Sequence, residues 1–124
     1  MSPRSEELLA GARDRLGAAR AALEAGFPSS AVGAAYYAML YAVRAALSEE
    51  DRYAKTHAGT WPLFRELFVD QGRFDEELAA EARSTQRLRE ATDYDALMVP
   101  REEAERIVEL AARFVAAVSD AIGA

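Results

Sequence analysis

The sequence predicts an all-α protein, an up-and-down bundle of four or five helices. Three observations carry this. Of 124 residues, 28 are alanine, and Leu, Glu and Arg are also abundant, all strong helix formers. Seven glycines and four prolines are too few for a turn-rich β protein. Apolar residues recur at spacings of three and four, and no segment alternates polar and apolar over strand length. The length suits one domain covering residues 1–124.

Ser2-Pro3 opens the first helix, with Ser as N-cap, Pro at the first helical position, and Glu6 and Glu7 near the positive dipole end. Leu9, Ala12, Leu16, Ala19 and Leu23 form its apolar stripe. Gly26 stops the helix and Phe27-Pro28 turns the chain. Ser29 or Ser30 is expected to cap the second helix. From Ala31 to Leu47 only Arg44 is charged, and a helix apolar all round is normally buried all round. That predicts a central helix or a subunit interface. Its face carrying Tyr37, Leu40, Tyr41 and Arg44 is the expected dimer contact.

Ser48 to Gly59 reads as a polar connection. Trp61, Phe64, Leu67 and Phe68 form a short third helix opened by Thr60 and Pro62 and ended by Gln71-Gly72. The fourth helix runs from about Asp75 to about Tyr94, with Leu78, Ala82, Thr85 and Leu88 as a thin apolar stripe. Val99-Pro100 opens the fifth, whose broad apolar face includes Ile107, Ala111, Phe114 and Val118. If every short connection reverses the chain, the second and fourth helices end at the same end of the bundle. Arg52, Lys55 and His57 then lie near Arg87, Arg89, Asp93, Tyr94 and Asp95.

Composition removes several function classes. There are no cysteines, so disulfides, thiolate zinc sites and thiol catalysis are excluded. One histidine excludes a His-rich metal site within one chain. No metal and no cofactor is expected. The net charge is −6 and the pI about 4.8, which argues against a basic surface that grips nucleic acid non-specifically. The stretch from Ala31 to Val43 is shorter than the roughly 20 residues that span a bilayer. The opening MSPRSEELL has no basic region followed by an apolar run. A cytoplasmic, membrane-free protein is the expectation.

Each candidate site residue has a plain and a functional reading. His57, in Lys55-Thr56-His57-Ala58-Gly59, is either a solvated residue or a phosphate contact assisted by Lys55. Arg89 and Asp93 can pair across one helical turn as an ordinary surface ion pair. Alternatively, Arg89 presents its fork to phosphate with Tyr94 hydrogen-bonding beside it. Tyr36, Tyr37 and Tyr41 are either packing residues or a stacking surface for bases. Glu49, Glu50, Asp51, Asp93 and Asp95 are a solvated acidic rim, or oxygen ligands if they gather.

In order and spacing, Ala34-Ala35-Tyr36-Tyr37-Ala38-Met39 through Arg44-Ala45-Ala46-Leu47, then Lys55-Thr56-His57, then Leu88-Arg89 and Asp93-Tyr94-Asp95 resemble the HEPN domain (higher eukaryotes and prokaryotes nucleotide-binding). The likeness is to its small stand-alone prokaryotic branch and covers nearly the whole chain. The resemblance implies a helical bundle that pairs into a homodimer, often beside a minimal nucleotidyltransferase in a toxin–antitoxin pair. Active HEPN ribonucleases carry an Arg followed after four to six residues by His, and two such motifs meet in a dimer cleft that cleaves RNA without metal. Here Arg89 is present, but Tyr94 stands where the His would be. An imidazole titrates near neutral pH and moves protons both ways. A phenol with a pKa near 10 does so poorly. Arg52 and His57 share the same spacing but fall in a connection rather than on the expected helix.

The leading expectation is a HEPN-like protein with a degenerate ribonuclease motif. It binds a nucleotide, another phosphate-bearing ligand or a nucleotidyltransferase partner through Arg89, Asp93, Tyr94, Lys55 and His57. The alternatives are an active metal-independent ribonuclease toxin, with Arg89, Tyr94 and His57 as candidate catalytic residues, and a purely structural helical adaptor.

Overall fold

The computed structural model describes residues 1–124 as five α-helices and contains no β-strand. They are α1 (Pro3–Glu24), α2 (Pro28–Glu49), α3 (His57–Phe64), α4 (Glu76–Tyr94) and α5 (Arg101–Ala121). A single π-helical turn, Arg65–Val69, prolongs α3.

The most apolar helix is central. Twelve of the 22 residues of α2 are buried, against α1, α3, α4 and α5. The chain's own helices thus cover most of the apolar surface that suggested a subunit interface, while Tyr37, Tyr41 and Arg44 stay half-buried on its outer side. Leu40 is fully buried among the helices, so it has no surface to offer a second chain. Close approach of α1 depends on Gly11, where a β-carbon would stand 2.9 Å from Tyr41 Cδ2.

Local signals explain most helix ends. Ser2 Oγ accepts from the Ser5 N–H at 3.1 Å and Asp75 Oδ2 from the Leu78 N–H at 2.8 Å. Gly26 ends α1 with a φ of +89°, and the Phe27 N–H closes on the Ala22 carbonyl. Two expected caps are corrected. Helix α2 begins at Pro28 behind Phe27, with no side-chain cap. Ser29 Oγ instead accepts from the Val99 N–H, tying the start of α2 to the α4–α5 connection. Helix α3 begins at His57, not Thr60, because Thr56 Oγ1 accepts from the Gly59 N–H at 3.0 Å. Pro62 lies inside that helix. The π turn after it keeps both Phe64 and Phe68 in the core, their rings stacked 5.2 Å apart, with Phe114 of α5 beside Phe64.

Helix directions follow from contacts at the ends of α2. Arg73, just before α4, pairs with Glu50 at the C-terminal end of α2. Val99, just after α4, meets Ser29 at its N-terminal end. Helix α4 is therefore antiparallel to α2, and the two helices end at opposite ends of the bundle. The expected arrangement is reversed because the connection after α2 climbs back along the bundle before α3 begins. That climb still carries His57 toward α4.

Two non-glycine residues adopt left-handed backbone at helix ends, Asp51 (φ +54°) and Ala96 (φ +53°). Asp tolerates this conformation; for alanine it costs about 1–2 kcal/mol, against roughly 0.5–1 kcal/mol of extra chain entropy lost by glycine. Ala96→Gly is therefore expected to raise stability by up to about 1 kcal/mol, seen as a Tm higher by a few degrees. An unchanged or lower Tm would show that the turn is not strained.

Candidate functional site

Arg89, in the last turns of α4, points at α2. Its guanidinium lies near two tyrosine rings, with Cζ 5.2 Å from the Tyr37 centroid and 5.6 Å from that of Tyr36. Nη2 donates to Tyr37 Oη at 3.1 Å. Only 12% of the side chain is exposed. Nε is 3.5 Å from Asp93 Oδ2, near enough for charge attraction but misaligned for a hydrogen bond, so this buried N–H has no partner. Leaving a buried donor unpartnered costs about 1–3 kcal/mol. The cation–π contacts offset about 0.5–2 kcal/mol of that.

His57 opens α3 beside the same phenol. Its ring meets Tyr37 edge-on with centroids 6.2 Å apart. Tyr37 thus joins the two candidate residues, hydrogen-bonded to one and in ring contact with the other. Behind it, Tyr36 is buried and accepts a hydrogen bond from Trp61 Nε1 at 3.2 Å. Burial pushes the Tyr36 hydroxyl above its ordinary pKa, opposed by the Trp61 hydrogen bond and the nearby Arg89 charge. Lys55 is exposed on the connection two residues before His57.

Of the other expected site residues, only Asp93 lies at this corner. Tyr94 is 78% exposed. Five residues beyond Arg89, it points about 140° away around the helix. Asp93 is half exposed beside Arg89. Tyr41 stacks on Arg15, 3.8 Å from guanidinium carbon to ring centroid, and Arg44 approaches the same ring. The carboxylates of Glu49, Glu50 and Asp51 lie at the opposite end of the bundle from Asp93 and Asp95, and nowhere do three His or acidic groups converge as a metal site. No helix is long and apolar enough to cross a membrane. Tyr37 is the residue whose role sequence reasoning missed. The doublet Tyr36-Tyr37 in an alanine-rich helix was its one signal, and it did not reveal which tyrosine meets Arg89.

A buried arginine on the fourth helix and a histidine at the start of the third share Tyr37 in one corner of a five-helix bundle. The HEPN domain model matches residues 5–121. The chain belongs to the HEPN family. It is 30% identical over 117 residues to the UPF0332 protein glr0978 of Gloeobacter violaceus, covering 93% of each chain. It is 32% identical over 111 residues to a Methanocaldococcus jannaschii protein provisionally named as a toxin, MJ0605, covering 90% of this chain and 83% of that one.

Within this HEPN bundle the Arg89 guanidinium has one hydrogen bond, to Tyr37, and one buried donor without a partner. An arginine kept for stability would have its donors paired. Arg89→Met keeps the length and apolar stem but removes a buried, incompletely bonded charge. Urea unfolding is expected to show stability unchanged or raised by up to about 1 kcal/mol. A loss of about 2 kcal/mol or more would mark Arg89 as a structural strut.

Proposed function

We propose that this HEPN protein is one component of a toxin–antitoxin-type pair, and that its Arg89 corner receives a phosphate group of a nucleotide or RNA. The observation that carries this reading is the mostly buried guanidinium with an unbonded N–H, held in place by Tyr37. A preset guanidinium is well suited to phosphate, because its donors match two anionic oxygens at once. Tyr37 fixes the guanidinium, and His57 and Lys55 stand on the approach from the preceding connection. The toxin name of the archaeal relative supports the two-component setting. A minimal nucleotidyltransferase is the proposed partner, and the cytoplasm the proposed location.

The motif departs from that of active HEPN ribonucleases at Tyr94, so recognition without efficient cleavage is the leading form of the proposal. A second reading, active metal-independent cleavage, draws on His57 standing against the phenol that holds Arg89. In it His57 or Tyr94 moves protons while Arg89 neutralises phosphate charge. Single-stranded RNA with the purified protein in excess chelator decides between them. The leading reading expects RNA binding by fluorescence anisotropy, weakened at least about fivefold by Arg89→Ala, and no cleavage that depends on Arg89. Cleavage by the native protein that disappears in Arg89→Ala would establish the enzyme. Unaltered RNA binding and partner co-purification in Arg89→Ala would leave only a structural adaptor.

We further propose a homodimer formed at the C-terminal end of α4, where Tyr94, Leu97 and Met98 are all exposed. The α2 face through Tyr37, Tyr41 and Arg44, which are half-buried, is the alternative contact, without the buried Leu40. Light scattering at micromolar concentration is expected to give a mass near twice the 13.5 kDa of one chain. Met98→Asp is expected to shift it to one chain with helicity retained. A native monomer, or a dimer indifferent to Met98→Asp, would remove this interface.

A further inference from the structure

A second cationic site lies beneath the connection that follows α2, at the opposite end of that connection from His57. There the start of α1, the last turns of α2 and residues 51–54 enclose a cleft of about 370 Å³. That is within the range of about 300–1,000 Å³ typical of small-molecule sites. Arg44, on its wall, is seven residues beyond Tyr37 on α2, roughly 10 Å further along the helix axis.

Three arginines line the cleft, each from a different element: Arg4 from α1, Arg44 from α2 and Arg52 from the connection. Arg44 and Arg52 have no ion pair within the chain, although the chain carries net charge −6. Three further carboxylates nearby already have partners, one of them Arg4 itself. Glu49 accepts from the Ser2 N–H, Glu50 pairs with Arg73, and Glu7 pairs with Arg4. Asp51 is the single carboxylate on the lining. The left-handed Asp51 lets the Arg52 N–H return to the Leu47 carbonyl at 2.9 Å, which fixes where Arg52 and Tyr53 leave the helix. Leu8 and Leu47 give the cleft an apolar side, and Tyr53 stands at its edge with 79% of its surface exposed.

We propose that this cleft binds a small organic polyphosphate, separately from the Arg89 corner. The phosphates lie among Arg4, Arg44 and Arg52, which supply planar forks suited to several anionic oxygens. The organic body rests on Leu8 and Leu47, and a flat ring in it stacks against Tyr53. Arg4 is shared with Glu7, so the unpaired Arg44 and Arg52 against the one carboxylate of Asp51 leave the cleft locally cationic in an acidic protein. That favours a ligand of two or more negative charges over a neutral one.

Calorimetry with inorganic pyrophosphate and with ADP tests the site on the full chain. Both are expected to bind saturably, one per protomer, with ADP the tighter. Arg52→Ala and Arg44→Ala are each expected to weaken ADP roughly tenfold or more. Tyr53→Ala is expected to weaken ADP and leave pyrophosphate within about twofold. Arg20→Ala, a surface arginine of α1 outside the cleft, controls for net charge and is expected to change neither. Circular dichroism checks folding, and Arg44→Lys, which keeps the charge but loses the fork, serves if Arg44→Ala unfolds. No heat with either probe overturns the proposal, as does equal weakening by Arg20→Ala. Loss on Arg89→Ala but not on Arg44→Ala or Arg52→Ala would assign the binding to the other corner. An RNA oligonucleotide that needs Arg52, with no binding of pyrophosphate or ADP, would make the cleft part of an RNA track instead.

Discussion

Everything in this bundle is arranged to remove α2 from water. A helix with one charge between Ala31 and Leu47 favours burial, and four other helices cover most of it. The cover buries twelve residues of α2, leaves a half-buried stripe through Tyr37, Tyr41 and Arg44, and dictates what the neighbours carry. Helix α1 contributes small residues and Gly11, which let it approach closely beneath Tyr41. Helix α4, largely charged, contributes only Ala79, Ala82 and Thr85 to the fully buried interior. Arg89 continues that inward face one turn past Thr85, where the partners on α2 are the Tyr36 and Tyr37 rings rather than aliphatic groups. The inward placement of Arg89 is thus a consequence of how the central helix is covered.

Helix identities were legible because their signals are local. Ser2-Pro3, Gly26-Phe27-Pro28, Asp75 and Val99-Pro100 each act within one turn, so reading them needs no tertiary information. The errors lie where two local signals compete or where geometry is long-range. Thr56 and Thr60 are both plausible caps. Thr56 takes the role by bonding the Gly59 N–H, while the Thr60 hydroxyl donates back to the Thr56 carbonyl. Ser29 has the chemistry of a cap, but its hydroxyl is held by Val99, 70 residues away. Leu40 and Tyr37 lie near one another on the helical wheel of α2. Periodicity could not show that the first is sealed in the core while the second meets a charge from α4.

The site was half legible for a related reason. Spacing identified Arg89 and Asp93 as a one-turn pair, and they do approach. It could not show that the pair is imperfect, with Nε buried and unbonded. The neighbourhood of His57 and Arg89 was reached through a chain of reversals in which one step was mistaken. Helix α4 runs the other way, but the connection after α2 folds back by a compensating distance. The shared contact is Tyr37, a residue whose sequence context says only that it lies on a buried helix.

The spacing of Arg89 and Tyr94 constrains how the corner could be completed. Five residues turn an α-helix through about 500°, so the second side chain emerges some 140° from the first. One helix therefore cannot aim both into a single pocket of its own protomer. A residue at the Tyr94 position can meet an Arg89 corner only if that corner belongs to another copy, or if α4 unwinds. His57 has no such restriction, because it comes from a different element and already touches Tyr37. The corner consequently has a within-chain source of imidazole and no within-chain route for the Tyr94 phenol. An imidazole beside Tyr37 is available within one chain, whereas bringing the Tyr94 phenol to an Arg89 corner requires a second copy or an unwound α4.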